Sequence, residues 1–132
     1  MNEIAHSFQR LLEAAKAGDW DLVDKEISSV INFHGVLWAA GRGGLGNTDE
    51  NVRDFAATIL EMSPKIDYPL QPDVIKLMRE MMSSDKNPFV RYRLAFALWR
   101  RKIRDDAVKQ LMEDAQQVSD VSDLATKYLA EK

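Results

Sequence analysis

The sequence predicts an all-α protein, and three observations lead to that prediction. Apolar residues recur every three or four positions along almost the whole chain, which is the spacing of one face of a helix. Alternation of apolar and polar residues with a period of two, typical of half-buried strands, is hard to find. A pattern of Val-Arg followed by Ala and Leu occurs at 47–60 and again at 85–98, which indicates a repeated helical unit.

The first half of the chain is predicted to hold three helices. The first should stop at Gly18, because glycine readily takes the left-handed conformation that ends a helix. Asp19 can then cap a second, longer helix over 20–38, whose apolar stripe includes His34 as a core residue. A third helix should begin with Asp49 and Glu50 in its first turn and run to about residue 62.

Proline and capping residues indicate where four more helices begin. Pro72 suits the first turn of a fourth helix, and Asn87 should cap a fifth that runs to about residue 102. Asp105 should open a sixth helix and Asp120 a short seventh. The prediction is therefore of about seven helices, with one extended connection over 63–72.

The repeated pattern predicts how these helices are arranged. Alignment of the chain on Val52, Val90 and Val121 brings small and branched residues to matching offsets, with steps of 38 and 31 residues. These steps fit one helical hairpin, which cannot bury its apolar side alone but can do so against a neighbouring copy. We therefore expect one domain over 1–132, with repeats over 47–131 and a divergent N-terminal helical pair over 1–46.

The pattern resembles the HEAT-repeat family, including its short bacterial and archaeal members. In that family the second helix of each hairpin tends to begin with Val-Arg, preceded five positions earlier by Asp. Asp85, Val90 and Arg91 match all three positions. Val52 and Arg53 match two of them, and the third copy departs furthest from the pattern.

The resemblance implies an α-solenoid, a superhelix of about three stacked hairpins, in which Asp85 and Arg91 bridge successive hairpins. HEAT-like arrays generally act as binding surfaces, so the resemblance implies a non-enzymatic protein-interaction or scaffold module that binds a protein partner. Helices two, four and six would form the inner layer. The contact candidates on that layer are Lys76, Arg79, Glu80, Lys109, Gln110 and Glu113.

A basic segment supports an alternative function. Residues 86–104 hold seven basic groups and no acid, and Arg93, Arg100 and Arg104 fall within about 40° of arc on the fifth helix, between aromatic residues. Such a strip suits nucleic acid, and some HEAT-like proteins are DNA glycosylases. Two other uses remain open, namely pairing with the seven acids of residues 105–132 and binding an acidic protein. The net charge of −3 argues against a general nucleic-acid binder.

Several classes of site are not supported by the sequence. The absence of cysteine excludes disulfides and thiolate zinc sites, and the two histidines are too far apart to pair on one helix. The G-x-G-x-x-G spacing at 41–46 lacks the flanking strands that dinucleotide binding requires. We therefore expect no enzyme activity, cofactor or metal. With neither a long apolar run nor a basic leader, no membrane association and a cytoplasmic location are expected.

Overall fold

The computed structural model describes residues 2–29, 44–63 and 71–131, and within them it contains seven α-helices and no strand. The all-α prediction is confirmed. The helices are α1 Asn2–Lys16, α2 Trp20–Glu26, α3 Glu50–Met62, α4 Pro72–Ser84, α5 Pro88–Arg100, α6 Asp106–Ala115 and α7 Ser122–Leu129.

The first helix ends where the glycine predicts. Gly18 has a φ of 77°, and its N–H donates to the carbonyl of Ala15 while the N–H of Asp19 donates to that of Ala14. This pair of bonds is the Schellman arrangement, which satisfies carbonyls left free at a helix end. The Asp19 side chain then accepts a hydrogen bond from the backbone of Leu22, so the predicted cap of α2 is confirmed.

The second helix differs from its prediction. Its α-helical part ends at Glu26 and passes into a 3₁₀ turn over Ile27–Ser29. The Ser29 hydroxyl donates to the Glu26 carbonyl at 2.7 Å, and such a local bond competes with regular helix continuation. An α-helix through 27–29 is therefore wrong. The rest of the predicted helix, including His34, and the glycines at 41 and 43 lie outside the described residues.

Three other helix starts have a capping side chain, as predicted for Asn87 and Asp105, whereas Asp49 was predicted inside the first turn. Asp49, Asn87 and Asp105 each accept a hydrogen bond from a backbone N–H in the first turn of α3, α5 and α6 respectively. Each side chain satisfies a donor that the helix geometry leaves without an internal partner.

The end of α5 falls two residues before the predicted position. Lys102 has a φ of 68°, and its N–H donates to Trp99 while the N–H of Ile103 donates to Leu98. Lysine here occupies the left-handed position that glycine usually takes, and the apolar Ile103 packs against the core beside it. A stop of this kind has no glycine signal in the sequence.

The start of α7 also departs from its prediction. The N-cap position belongs to Val121, whose side chain makes no capping bond, and not to Asp120. Val121 is 2% exposed. Burial of this apolar side chain fixes where the helix begins, although valine provides no capping bond.

The helices pack around one core. α1 contacts α3, α3 contacts α5 and α5 contacts α7, while α4 and α6 both pack against α5. Val52 and Val90 are each the third residue of their helix and are buried, whereas the buried Val121 precedes α7 by one position. None of the described helices is long and apolar enough to cross a membrane.

Candidate functional site

The densest group of ionisable side chains lies where α3, α5 and α7 meet. Asp54 and Glu61 are seven residues apart on α3, and Arg93 and Arg100 are seven residues apart on α5. Seven residues are two helical turns, so each pair projects from one side of its helix. Because α3 and α5 pack side by side, the two acids face the two arginines across the helix contact.

Glu61 is the buried centre of this group, with 1% of its surface exposed. One carboxylate oxygen accepts a hydrogen bond from Arg93 Nη1 at 3.0 Å, and the other accepts from the Tyr128 hydroxyl of α7 at 2.6 Å. Both oxygens therefore have donors, as a charge withdrawn from water requires. Glu61 thus joins α3, α5 and α7.

Arg93 lies between the two acids of α3. Its Nε lies 2.8 Å from an Asp54 oxygen, while its Nη1 bonds Glu61. Burial raises the pKa of Glu61 despite the opposing effects of Arg93 and Tyr128, and burial likewise raises the pKa of Asp54. Raised carboxyl pKa values mean that desolvation outweighs the attraction of the guanidinium.

Arg100 and Arg101 hold the end of α3 through its carbonyls. Arg100 donates to the Glu61 carbonyl at 2.7 Å, and Arg101 donates to those of Leu60 at 2.7 Å and Ser63 at 2.8 Å. These carbonyls belong to the negative end of the helix, where a cation is favoured. Burial, followed by the charge of Arg100, lowers the pKa of Arg101 to about 10.

The aromatic residues near this group also contact arginines. The Arg100 guanidinium lies 4.5 Å from the centre of the Tyr128 ring, and that of Arg104 lies 4.4 Å from the Trp99 ring. Arg100 also contacts Glu131, and Arg104 donates to the Trp99 carbonyl. These contacts direct both guanidinium groups onto the protein itself.

The predicted basic surface of Arg93, Arg100 and Arg104 is therefore not a free surface. All three side chains make contacts inside the fold, and Arg93 has 24% of its side chain exposed. The predicted pairing with acids of residues 105–132 applies to Arg100 with Glu131, whereas the partners of Arg93 come from α3. Lys86 and Lys102 stay exposed.

A second ion pair joins the two best copies of the repeat. Arg53 binds Asp85 with two parallel contacts, Nε to Oδ2 at 2.8 Å and Nη2 to Oδ1 at 3.2 Å. Its Nη1 also donates to the carbonyls of Asn47 and Thr48. The hydrogen bond with Asp85 is the main cause that raises the pKa of Arg53.

The arginine that binds Asp85 differs from the predicted one. Asp85 does join the two copies, but through Arg53 of the preceding copy and not through Arg91. Arg91 donates from Nε to the Met82 carbonyl at 3.1 Å, which ties α5 to α4 within its own hairpin. The fixed fork of arginine suits both tasks.

We expect Asp85→Asn to lower the free energy of unfolding by about 1 to 3 kcal/mol. The Asp85 side chain is 3% exposed and accepts from Arg53 twice and from the Asn87 backbone, so an amide would place an N–H against one of these donors. Urea unfolding followed by circular dichroism measures the change. Asp123→Asn, at an exposed position of α7, is the matched control and should stay within about 0.5 kcal/mol of the wild type. Equal values for the two variants would contradict a structural role for Asp85.

Tyr128 provides a pH-dependent prediction. Burial, and then the charge of Glu61, raise the pKa of Tyr128 above its ordinary value of 10.0. The native state thus holds the phenol proton more tightly than the unfolded state, so its contribution is complete below about pH 10 and is lost as the pH rises further. The free energy of unfolding, measured between pH 8 and 11, should fall less steeply in Tyr128→Phe than in the wild type. Identical slopes would show that the phenol is not buried against Glu61.

An open cleft lies beside the Arg53–Asp85 bridge. It has a volume of about 460 Å³ and is lined by Thr48, Glu50, Arg53, Ser84, Asp85 and Lys86. Its two most buried charges already bind each other. Across the described part of the chain, no three His, Cys, Asp or Glu residues lie close enough to hold a metal ion.

The candidate contact residues of α4 and α6 lie on the outer sides of these helices, meaning the sides that face solvent. Lys76, Glu80, Lys109 and Glu113 are exposed, and none of these four has an ion-pair partner within the described residues. Two others are engaged. Arg79 forms an ion pair with Asp105, and Gln110 donates to Asp114 at 2.9 Å. The Arg79 contact links α4 to the cap of α6.

Sequence reasoning missed several members of the charged network. They are Asp54, Glu61 and Tyr128. A usable signal exists in the seven-residue spacing of Asp54 and Glu61, because an acid that continues the core side of an apolar helix requires a buried partner. The sequence does not state which basic residue provides it.

Comparison of the chain with models of protein families, with curated proteins and with solved structures finds no match in any of the three.

Proposed function

We propose that the chain is a non-enzymatic protein-binding module, a HEAT-like α-solenoid whose partner docks on the outer sides of α4 and α6. One observation carries this proposal. The three arginines of α5 bind acids or backbone carbonyls of the protein, whereas Lys76, Glu80, Lys109 and Glu113 project into solvent without ion-pair partners in the described residues. Exposed charges of this kind can contribute to recognition without unfolding any of the structure.

The HEAT-like part of the proposal is supported by the contact between repeats. Val52 and Val90 are buried at the same position of α3 and α5, and the arginine after the first of them binds Asp85 in the turn before the second helix. A residue pattern that recurs with an ion pair between its copies is expected of stacked hairpins.

The contacts of Glu61 argue against its acting as a general acid or base. A catalytic carboxyl must come within hydrogen-bond reach of a substrate. Glu61 is 1% exposed, and both of its oxygens already accept from Arg93 and Tyr128. Burial inside the fold therefore accounts for the raised pKa of Glu61, and no catalytic role is needed to explain it.

Charge reversal on the two helices tests the proposed surface. The tagged wild-type chain and a Lys76→Glu, Lys109→Glu variant are used to recover bound proteins from a lysate of the native host. The control, Lys25→Glu with Lys127→Glu, makes the same change in net charge at exposed lysines of α2 and α7. We expect a specifically bound protein to be lost only with the first variant. Equal binding by both variants would refute a surface on α4 and α6.

A nucleic-acid function remains the rival, and a salt titration distinguishes it. We expect no binding of labelled duplex DNA at low salt, because the arginines of α5 are held inside the fold. Binding that falls steeply with salt and weakens in Lys86→Ala with Lys102→Ala would support the rival, since phosphate contacts release counterions.

A further inference from the structure

The helix α7 depends on contacts with other helices for its stability. It has eight residues, and its N-cap position is a valine that makes no side-chain capping bond. Isolated helices of this length are not stable in water, so α7 owes its structure to what it packs against. Its contacts therefore determine whether it is present at all.

Those contacts converge on Tyr128. Its hydroxyl donates to Glu61 at 2.6 Å, its carbonyl accepts from the Trp99 indole at 2.9 Å, and its ring meets Phe96 edge-on at 5.3 Å. The Arg100 guanidinium covers the ring and also reaches Glu131, three residues further on. Together with the packing of α7 against α6, Tyr128 and Glu131 therefore hold α7 on α5 and α3.

The surface beneath α7 is shaped for a helix of that chemistry. Phe96 and Trp99 supply an apolar floor, the indole N–H requires an acceptor, and Glu61 requires a hydroxyl donor. Arg100 requires an acid about one helical turn beyond the hydroxyl. Detachment of α7 would leave these groups without their partners, while the contacts of α5 with α3, α4 and α6 would remain.

We propose that α7 is an internal ligand that can leave α5 while the other helices stay folded, and that the uncovered surface binds a partner helix carrying a tyrosine and, three residues later, an acid. The partner's tyrosine hydroxyl takes the place of Tyr128 on Glu61, and its acid takes the place of Glu131 on Arg100. This surface is separate from the outer sides of α4 and α6, so the proposal stands or falls independently of the proposed function.

Hydrogen exchange of the full chain tests the detachment. We expect the amides of α7 to exchange at least about tenfold faster than those of α3 and α5, because they open without global unfolding. Tyr128→Phe should raise the exchange rate of α7 by a further factor of about ten, because opening no longer has to break the bond to Glu61, and should preserve its lead over α3 and α5. Lys127→Ala, at an exposed position of the same helix, should change neither. Exchange of α7 and α5 at one common rate in the wild type would overturn the proposal.

A labelled peptide with the sequence of residues 116–131 tests the binding surface. We expect it to bind the full-length Tyr128→Phe chain about tenfold more tightly than the wild type, because the internal helix competes less well. A peptide with phenylalanine in place of its tyrosine should bind about tenfold more weakly. Should the variant chain fail to fold, saturable binding of the tyrosine peptide to the wild type, weakened by the same change, decides the matter. No binding to either chain would overturn the proposal.

Discussion

Replacement of Arg93 by methionine is expected to lower the free energy of unfolding by about 3 to 5 kcal/mol. Methionine fills a similar volume but leaves the carboxyls of Glu61 and Asp54 buried without the guanidinium that faces both of them. Removal of one member of a buried ion pair leaves the other charge desolvated, and that penalty sets the size of the effect. Urea unfolding at neutral pH, followed by circular dichroism, measures it.

Arg79→Met is the matched control for this substitution. Arg79 also forms an ion pair, with Asp105, but both side chains are more than a third exposed and are screened by water. Exposed pairs of this kind contribute about 0 to 1 kcal/mol. If the two methionine variants lose the same stability, the burial of Arg93 has no energetic consequence and its assigned role is wrong.

Leu98→Ala is expected to lower the free energy of unfolding by about 2 to 5 kcal/mol. Leu98 has 0% of its surface exposed, and its carbonyl also accepts the bonds that end α5. Loss of its side chain removes buried apolar area and leaves a cavity that close-packed neighbours fill only in part. Leu124→Ala, at a half-buried position of α7, should cost less. A Leu98→Ala value within experimental error would place that side chain outside the core.

Most helix positions were predicted well, because the residues that start and end a helix lie close to it in the sequence. Asp19, Asn87 and Asp105 cap the helices that follow them, and the glycine at position 18 ends α1. These signals act over three or four residues and can be recognised without knowledge of the tertiary fold. They therefore predict where a helix lies more reliably than what it contacts.

Helix ends without such a local signal were predicted less well. The end of α5 depends on Lys102 in a left-handed conformation, and the start of α7 depends on burial of Val121. In both places tertiary packing outweighs the local preference of the residue. Neither lysine nor valine marks a helix boundary in sequence.

The charged network shows the same division between local and distant information. The basic segment 86–104 is conspicuous in the sequence, but the acids that neutralise Arg93 lie 32 residues or more before it, on α3. Only the pairing of α3 with α5 brings them together. Sequence spacing therefore predicted a concentration of charge but not whether it faces solvent or the interior of the protein.

This distinction matters for function, because a charged segment exposed to solvent and one held inside the fold imply different activities. The arginines of α5 are paired inside the fold, and α3, α4, α6 and α7 all pack against this helix. In the proposed function, the partner binds side chains that the fold does not use, such as Lys76 and Glu113. The proposed partner surface follows from that separation of roles.

A double-mutant cycle on Arg93 and Glu61 tests most directly whether the arginines of α5 are part of the interior. The free energies of unfolding of the wild type, Arg93→Met, Glu61→Gln and the double variant give the coupling between the two side chains. Direct contact at 3.0 Å predicts a coupling of at least about 1 kcal/mol. Additive effects, within about 0.3 kcal/mol, would show that Arg93 does not pair with Glu61 and would contradict the internal charged network.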